Sequence, residues 1–307
     1  MASASLLQSN MVQLNSANNK IATYIHLTFI SLITVCLCFF LCFIVVVLSI
    51  FFTSPHLREN ARYILFVYML VNDTFYLLSG FTLMLGAIYF LYMPVPVCFI
   101  LSTVSSMGFR VTPTTLAAMA LEKYIAICHP LRNKDLCTPQ RTNVVFTLIC
   151  AALIIPNAAD LGLMASSYTN IFNISVVCRK ENLSVNPFQN VLRSLSLALC
   201  FVLVTIIILF TYIKISMVAR RVSSQSSSAS KAKKTILLHG FQLLLCTMSL
   251  LSAFTEALPA SQAMFLPGFN FLVFSCMPRF LSPIIYGIRD EYLRKLIKKS
   301  LTRPPKN

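Results

Sequence analysis

The chain has 307 residues, of which 57% are hydrophobic and only 11% charged, with a formal net charge of +16. A soluble domain carries roughly 25% charged residues, so composition disfavours a cytosolic enzyme, a disordered tail and a disulfide miniprotein. It leaves an all-α membrane protein of several spanning helices. The basic excess sits in short loops between apolar runs, which ties it to orientation in the bilayer and not to nucleic acid.

Residues 1–24 are polar, with no basic start and no compact apolar core, so they read as an extracellular tail and not as a cleaved signal peptide. A helix needs about 20 apolar residues to cross the hydrocarbon layer. Seven stretches qualify: 25–52, 63–91, 95–121, 142–168, 194–213, 235–258 and 264–288. They are continuous and not alternating, which predicts helices and not barrel strands. No internal repeat is visible, which weakens a transporter built from paired halves. Residues 223–230 form a Ser-rich linker before the sixth span, and 289–307 form an amphipathic helix and tail. In that last segment Tyr292, Leu293, Leu296, Ile297 and Leu301 make one stripe and Arg294, Lys295, Lys298 and Lys299 another, a pattern suited to an anionic lipid surface.

The loops set the orientation. Nineteen Lys and Arg residues fall on one side of the membrane and four on the other. This predicts a cytoplasmic C-terminus and, after seven crossings, an extracellular N-terminus. Of eleven cysteines, only Cys98 and Cys178 fall at or beyond extracellular helix ends. An oxidising exterior with two candidates predicts one disulfide. No Cys/His spacing suggests a metal, no Gly-rich loop suggests phosphate, and no nucleophile–base pair suggests an enzyme, so no cofactor is expected.

Ionisable groups within spans are costly and need partners or water. Arg110 lies in the third span, where Ser102, Ser105, Ser106 and Phe109 recur with it at helical spacing. Small hydroxyl residues also serve ordinary helix packing. Arg110 either pairs with Asp160 or faces a cavity, where it favours a ligand bearing a carboxylate, sulfate or phosphate. Asp160 equally has Arg193 as a candidate partner. Glu256, near the outer end of the sixth span, reads as a wetted helix end.

Four motifs then converge. The third span ends in Met119-Ala-Leu-Glu-Lys-Tyr-Ile-Ala-Ile-Cys-His-Pro-Leu131, and the seventh contains Pro278-Arg-Phe-Leu-Ser-Pro-Ile-Ile-Tyr-Gly-Ile-Arg289. The sixth opens with Lys231-Ala-Lys-Lys-Thr, with His239 following, and the second contains Leu70-Val-Asn-Asp73. With seven spans and the Cys98/Cys178 pair, the chain resembles the rhodopsin-like G-protein-coupled receptors, and within them the odorant receptors, most of all the fish members. The resemblance implies a seven-helix bundle that binds a small odorant and activates a heterotrimeric G protein of the olfactory stimulatory type. It implies that Glu122, Lys123 and Tyr124 face that G protein, and that Tyr212, His239, Pro283 and Tyr286 take part in the switch. It places Asp73 and Arg279 close together, as an ion pair where relatives hold sodium. It makes Ser196 and Cys200 on helix five, Thr247, Leu251 and Phe254 on helix six, and Leu272 and Ser275 on helix seven pocket candidates alongside the third-span residues.

The chain also departs from the family pattern. Lys123 replaces the family's Arg, and Trp is absent altogether. The usual N-terminal glycosylation sequon is missing, while Asn173 and Asn182 head sequons in the second extracellular loop. A non-olfactory receptor for a metabolite or peptide shares the same architecture. A channel or transporter lined by Arg110, Asp160 and Arg279 is the remaining alternative.

Overall fold

In a computed structural model, residues 2–167, 174–178, 183, 186–222, 240–241, 244, 266–281 and 291–302 are described. Helix α1 runs over Ala2–Thr53 and so begins well before the apolar stretch Thr23–Thr53 that can cross a membrane. Although almost every residue of that stretch is apolar, only one stripe is buried: Ile33, Leu37, Phe40, Ile44, Val47 and Ile50. Their three- and four-residue spacing marks the face turned to the bundle. Val35, Phe39, Val45 and Phe52 point outward, as lipid-facing residues should.

A short turn, α2 (Pro55–Arg58), leads into α3 (Ala61–Ile88), whose start is marked by the extended backbone of Asn60. The strand β1 (Tyr92–Pro94) follows and opens α4 (Val95–Cys128), with proline in its first turn. Helix α5 (Pro130–Leu136) is a short connector to α6 (Pro139–Ser167). Strand β2 (Ser175–Val177) pairs antiparallel with β1, Tyr92 opposite Val177 and Pro94 opposite Ser175. Helix α7 (Pro187–Val222) is the fifth long element. After it come α8 (Leu266–Asn270), a π-helical stretch over Phe271–Cys276, and the amphipathic α9 (Glu291–Thr302).

Among the described residues five helices are long and apolar enough to cross a membrane, and they match the first five expected spans. The sixth expected span lies almost wholly outside the described residues, and the seventh is represented by residues 266–281. A disulfide joins Cys98 to Cys178 with their Cα atoms 5.5 Å apart. It pins β2 over the first turn of α4, where Val95, Met164 and Leu183 close around it. We call this the disulfide end of the bundle and the opposite one the basic end.

Lipid is as apolar as leucine, so helices associate through close packing and polar contacts, not through water exclusion. The main core joins α1, α3, α4 and the 271–280 segment, and Leu293 of α9 closes it at the basic end. A second cluster, Ala117, Ala120, Phe201, Val204 and Ile208, joins α4 to α7. Helix α4 packs tightly against α3 at Gly108. A Cβ there would stand 2.8 Å from the Tyr76 Cβ and 3.4 Å from its Cα. These are stiff atoms next to backbone, so a larger residue has to push the helices apart.

Gly108→Ala is therefore expected to destabilise the protein by about 1–3 kcal/mol. Gly162→Ala, where an added Cβ meets nothing within 4 Å, is expected to leave stability unchanged. Thermal melting of the purified proteins separates the two, and equal melting would refute this close packing.

Candidate functional site

The tight α3–α4 contact at Gly108 sits beside a polar cluster deep in the apolar bundle. Three α3 residues, Asn72, Asp73 and Tyr76, meet Phe109 and Thr112 on α4 and Ser275 and Arg279 on the last described apolar segment. The spacing accounts for the convergence. Residues four apart share a helix face, as do Asn72 and Tyr76, Gly108 and Thr112, and Ser275 and Arg279.

Asp73 is fully buried and Arg279 is 1% exposed. Arg279 Nε lies 3.7 Å from Asp73 Oδ1. The same Asp73 oxygen accepts a 2.6 Å hydrogen bond from the Thr112 hydroxyl. Asn72 Nδ2 donates to the Gly108 carbonyl oxygen (3.0 Å) and to Thr112 Oγ1 (3.2 Å), holding Thr112 in place. Arg279 Nη1 donates to the Ser275 carbonyl oxygen at 3.0 Å. Its guanidinium carbon lies 3.7 Å from the centre of the Tyr76 ring and 5.7 Å from that of Phe109. The Tyr76 and Ser275 hydroxyls share a 3.0 Å hydrogen bond. Arg279 thus has a carboxylate, a carbonyl and an aromatic face around it, a set that lets a cation exist at this depth.

Arg110 lies one residue beyond Phe109 and is 5% exposed. The structure gives Asp160 to Arg193, whose Nε donates to Asp160 Oδ2. Gln189 Nε2 adds a bond to the Asp160 carbonyl oxygen. Ser106 turns to α6, donating to Asn157 Oδ1 at 2.7 Å. Ser102 and Ser105 are half-buried, and Cys200 on α7 is half-buried with a free thiol. Ser196 donates to the Arg193 carbonyl oxygen of its own helix. Leu272 packs against the main core. Thr247, Leu251, Phe254, His239, Pro283, Tyr286, Asn173 and Asn182 lie outside the described residues.

At the basic end, Glu122, Lys123 and Tyr124 close α4. The Tyr124 ring meets Phe210 edge-on at 5.6 Å, and its hydroxyl lies 3.3 Å from His129 Nε2. Tyr212 is half-buried on α7. A cavity of about 300 Å³ lies alongside, lined by Glu59, Asn60, Glu122, Asn133 and Cys137 among others. Burial pushes the Cys137 thiol above its ordinary range, and the Glu122 carboxylate adds to the effect. Within this cavity Glu122 Oε2 and Asn133 Oδ1 are buried without hydrogen-bond partners among the described residues.

Sequence reasoning missed Asn72, Tyr76 and Thr112. The signal was present, since Asn72, Asp73 and Thr74 form a polar run inside a mostly apolar span, but nothing in one sequence says which side chains of another helix they meet.

Comparison with known proteins agrees with this architecture. Residues 44–286 match the family profile described as "7 transmembrane receptor (rhodopsin family)". Odorant receptor 131-2 of Danio rerio is 31% identical over 255 residues, covering 80% of this chain and 78% of that protein. Olfactory receptor 6N1 of Homo sapiens is 27% identical over 208 residues, covering 61% of this chain and 62% of that protein. Olfactory receptor 14A16 of Homo sapiens is 25% identical over 204 residues, covering 61% and 63%.

Removing one member of a buried ion pair costs about 3–5 kcal/mol, whereas replacing both with apolar groups is often neutral. Arg279→Ala is expected to abolish most surface delivery, Arg279→Lys to retain part of it, and Asp73→Leu combined with Arg279→Met to restore it. Flow cytometry of an epitope-tagged receptor reads all three. Equal expression of Arg279→Ala and the parent would show that the pair carries no stability.

Proposed function

The chain belongs to the rhodopsin family of seven-transmembrane receptors, and from that premise we propose that it works as an odorant receptor coupled to a heterotrimeric G protein. It is a multi-pass membrane protein. The observation that carries the reading is the run of relatives named odorant or olfactory receptors, led by 31% identity over 80% of the chain. The bundle supports it physically. Its polar side chains at depth hold helices together.

A receptor of this kind needs no chemistry of its own. A small ligand reaches the bundle from the disulfide end, among Ser102, Ser105, Phe109 and Arg110 on α4, Ser196 and Cys200 on α7, Leu272 and Ser275 on the last span, and Thr247, Leu251 and Phe254 on the sixth. It binds one helix arrangement better than another and shifts the population by that difference. The readout is at the basic end, where Glu122, Lys123, Tyr124, Tyr212, His239, Pro283 and Tyr286 rearrange to admit the G protein. The loop charges, nineteen basic residues against four, support a cytoplasmic basic end at the plasma membrane. The G protein is of the stimulatory olfactory type, so the output is cyclic AMP. Asn173 and Asn182 carry the glycans in place of an N-terminal site.

Lys123 is the distinctive part of this switch. Arg presents a planar fork of donors and Lys a compact point charge. Lys123→Arg is therefore expected to raise the ligand-evoked cyclic AMP amplitude without moving the half-maximal concentration. An odorant panel on cells expressing either protein tests this. Silence of both proteins across the panel, with both at the surface, would count against the odorant reading. Tags at the two ends, read on intact and permeabilised cells, are expected to appear on opposite faces.

A further inference from the structure

Among the described residues, the membrane-embedded charges do not balance locally. Arg279 has Asp73 at 3.7 Å, and Arg193 holds Asp160. Arg110 has no such partner among the described residues. It is 5% exposed, and its Nη1 is buried without a hydrogen-bond acceptor among the described residues. Among the described residues, the groups within electrostatic reach of it are Cys200, Asp160 and Arg193. One carboxylate thus stands against two guanidinium groups, and it is already bonded to the other one. The neighbouring hydroxyl that could have turned inward is also committed, since Ser106 donates to Asn157 on α6.

An uncompensated guanidinium at this depth is costly, and the cost falls when an anion arrives. A guanidinium is also the side chain whose planar donors match a carboxylate two for two. Phe109 and Phe201, the chain neighbours of Arg110 and Cys200, pack with ring centres 5.7 Å apart and join α4 to α7. An aromatic seam between the two helices that carry Arg110 and Cys200 suits a molecule with a charged head and an apolar body.

The geometry points to Arg110 as the recognition point for an oxyanion, which makes the ligands of this receptor small carboxylates with an apolar tail. The inference rests on the receptor reading above and narrows its ligand class. It assigns Arg110 a binding role distinct from that of Arg279, whose charge is answered within the fold.

The test uses the purified full-length receptor with a series of straight-chain carboxylates and the alcohols of the same lengths. Carboxylates are expected to raise the melting temperature of the unsubstituted protein more than the matching alcohols do. Arg110→Met is expected to melt higher than the parent without ligand, because it replaces an unanswered charge by an apolar side chain, and to lose the carboxylate response. Arg110→Lys keeps the charge and should retain part of that response. In cells, Arg110→Lys should raise the half-maximal carboxylate concentration by about tenfold to a hundredfold, as expected for loss of one of two charge-assisted hydrogen bonds, and leave alcohol responses unmoved.

Two results overturn the proposal. One is Arg110→Met melting lower than the parent, which means the guanidinium has an internal counter-ion; Glu256→Gln and Asp160→Asn then identify it. The other is absence of carboxylate stabilisation across the series. Carboxylate binding lost in Arg110→Met, together with no cyclic AMP response to any compound, would uphold the anion site and remove the signalling reading. Responses to alcohols alone would do the reverse.

Discussion

A carboxylate and a guanidinium, both shut away from water in the middle of a lipid-embedded bundle, set the terms for the helices around them. Asp73 and Arg279 come from spans far apart in the chain, and neither is tolerable alone at that depth. Their meeting ties α3 to the last apolar segment. Thr112 ties the same carboxylate to α4, and Asn72 ties α3 to the α4 backbone. Gly108 is part of the same arrangement, since only a residue without a side chain lets the two helices approach closely enough for Asn72 to reach a backbone carbonyl. The apolar packing of α1 against this group then follows from a stripe that needs no polar partner.

The charges at the disulfide end behave differently. Arg193 and Asp160 bridge α6 and α7 near their ends, and Gln189 reinforces that bridge through the backbone. Arg110 stands within electrostatic reach of the pair, on the same helix as the disulfide cysteine. Among the described residues, Arg193 and Arg279 thus have a carboxylate beside them and Arg110 has none, while Arg110 and Cys200 lie within electrostatic reach of each other. Stability and recognition are served by the same residue type, separated by whether the fold provides the anion.

Much of this is legible in the amino-acid sequence, for reasons that differ by feature. The five described spans are readable because lipid demands unbroken apolar length, a one-dimensional property. The Cys98–Cys178 bond is readable because topology leaves two cysteines at the oxidising face. The nearness of Asp73 and Arg279 comes from family resemblance, since their separation in the chain carries no geometric signal. Asn72, Thr112 and Tyr76 escape notice because their importance lies in rotational position about two helices, which an all-apolar span does not encode. The partner of Asp160 is undecidable from sequence, because Arg110 and Arg193 are both plausible until the helices are placed. The cavity beside Glu122 is hidden for a related reason, being assembled from four separate segments.

The π-helical stretch Phe271–Cys276 has a geometric effect on all that follows it. An α-helix turns about 100° per residue, so the extra residue taken up by the wider coil resets the azimuth of the rest of the span. Arg279 points at Asp73 only in that reset phase. Tightening the coil to an ordinary path would swing the guanidinium toward a different neighbour without altering a single letter of the span. Wide coils recur at functional places in helices, and here the coil acts as the rotational trim that aims a cation.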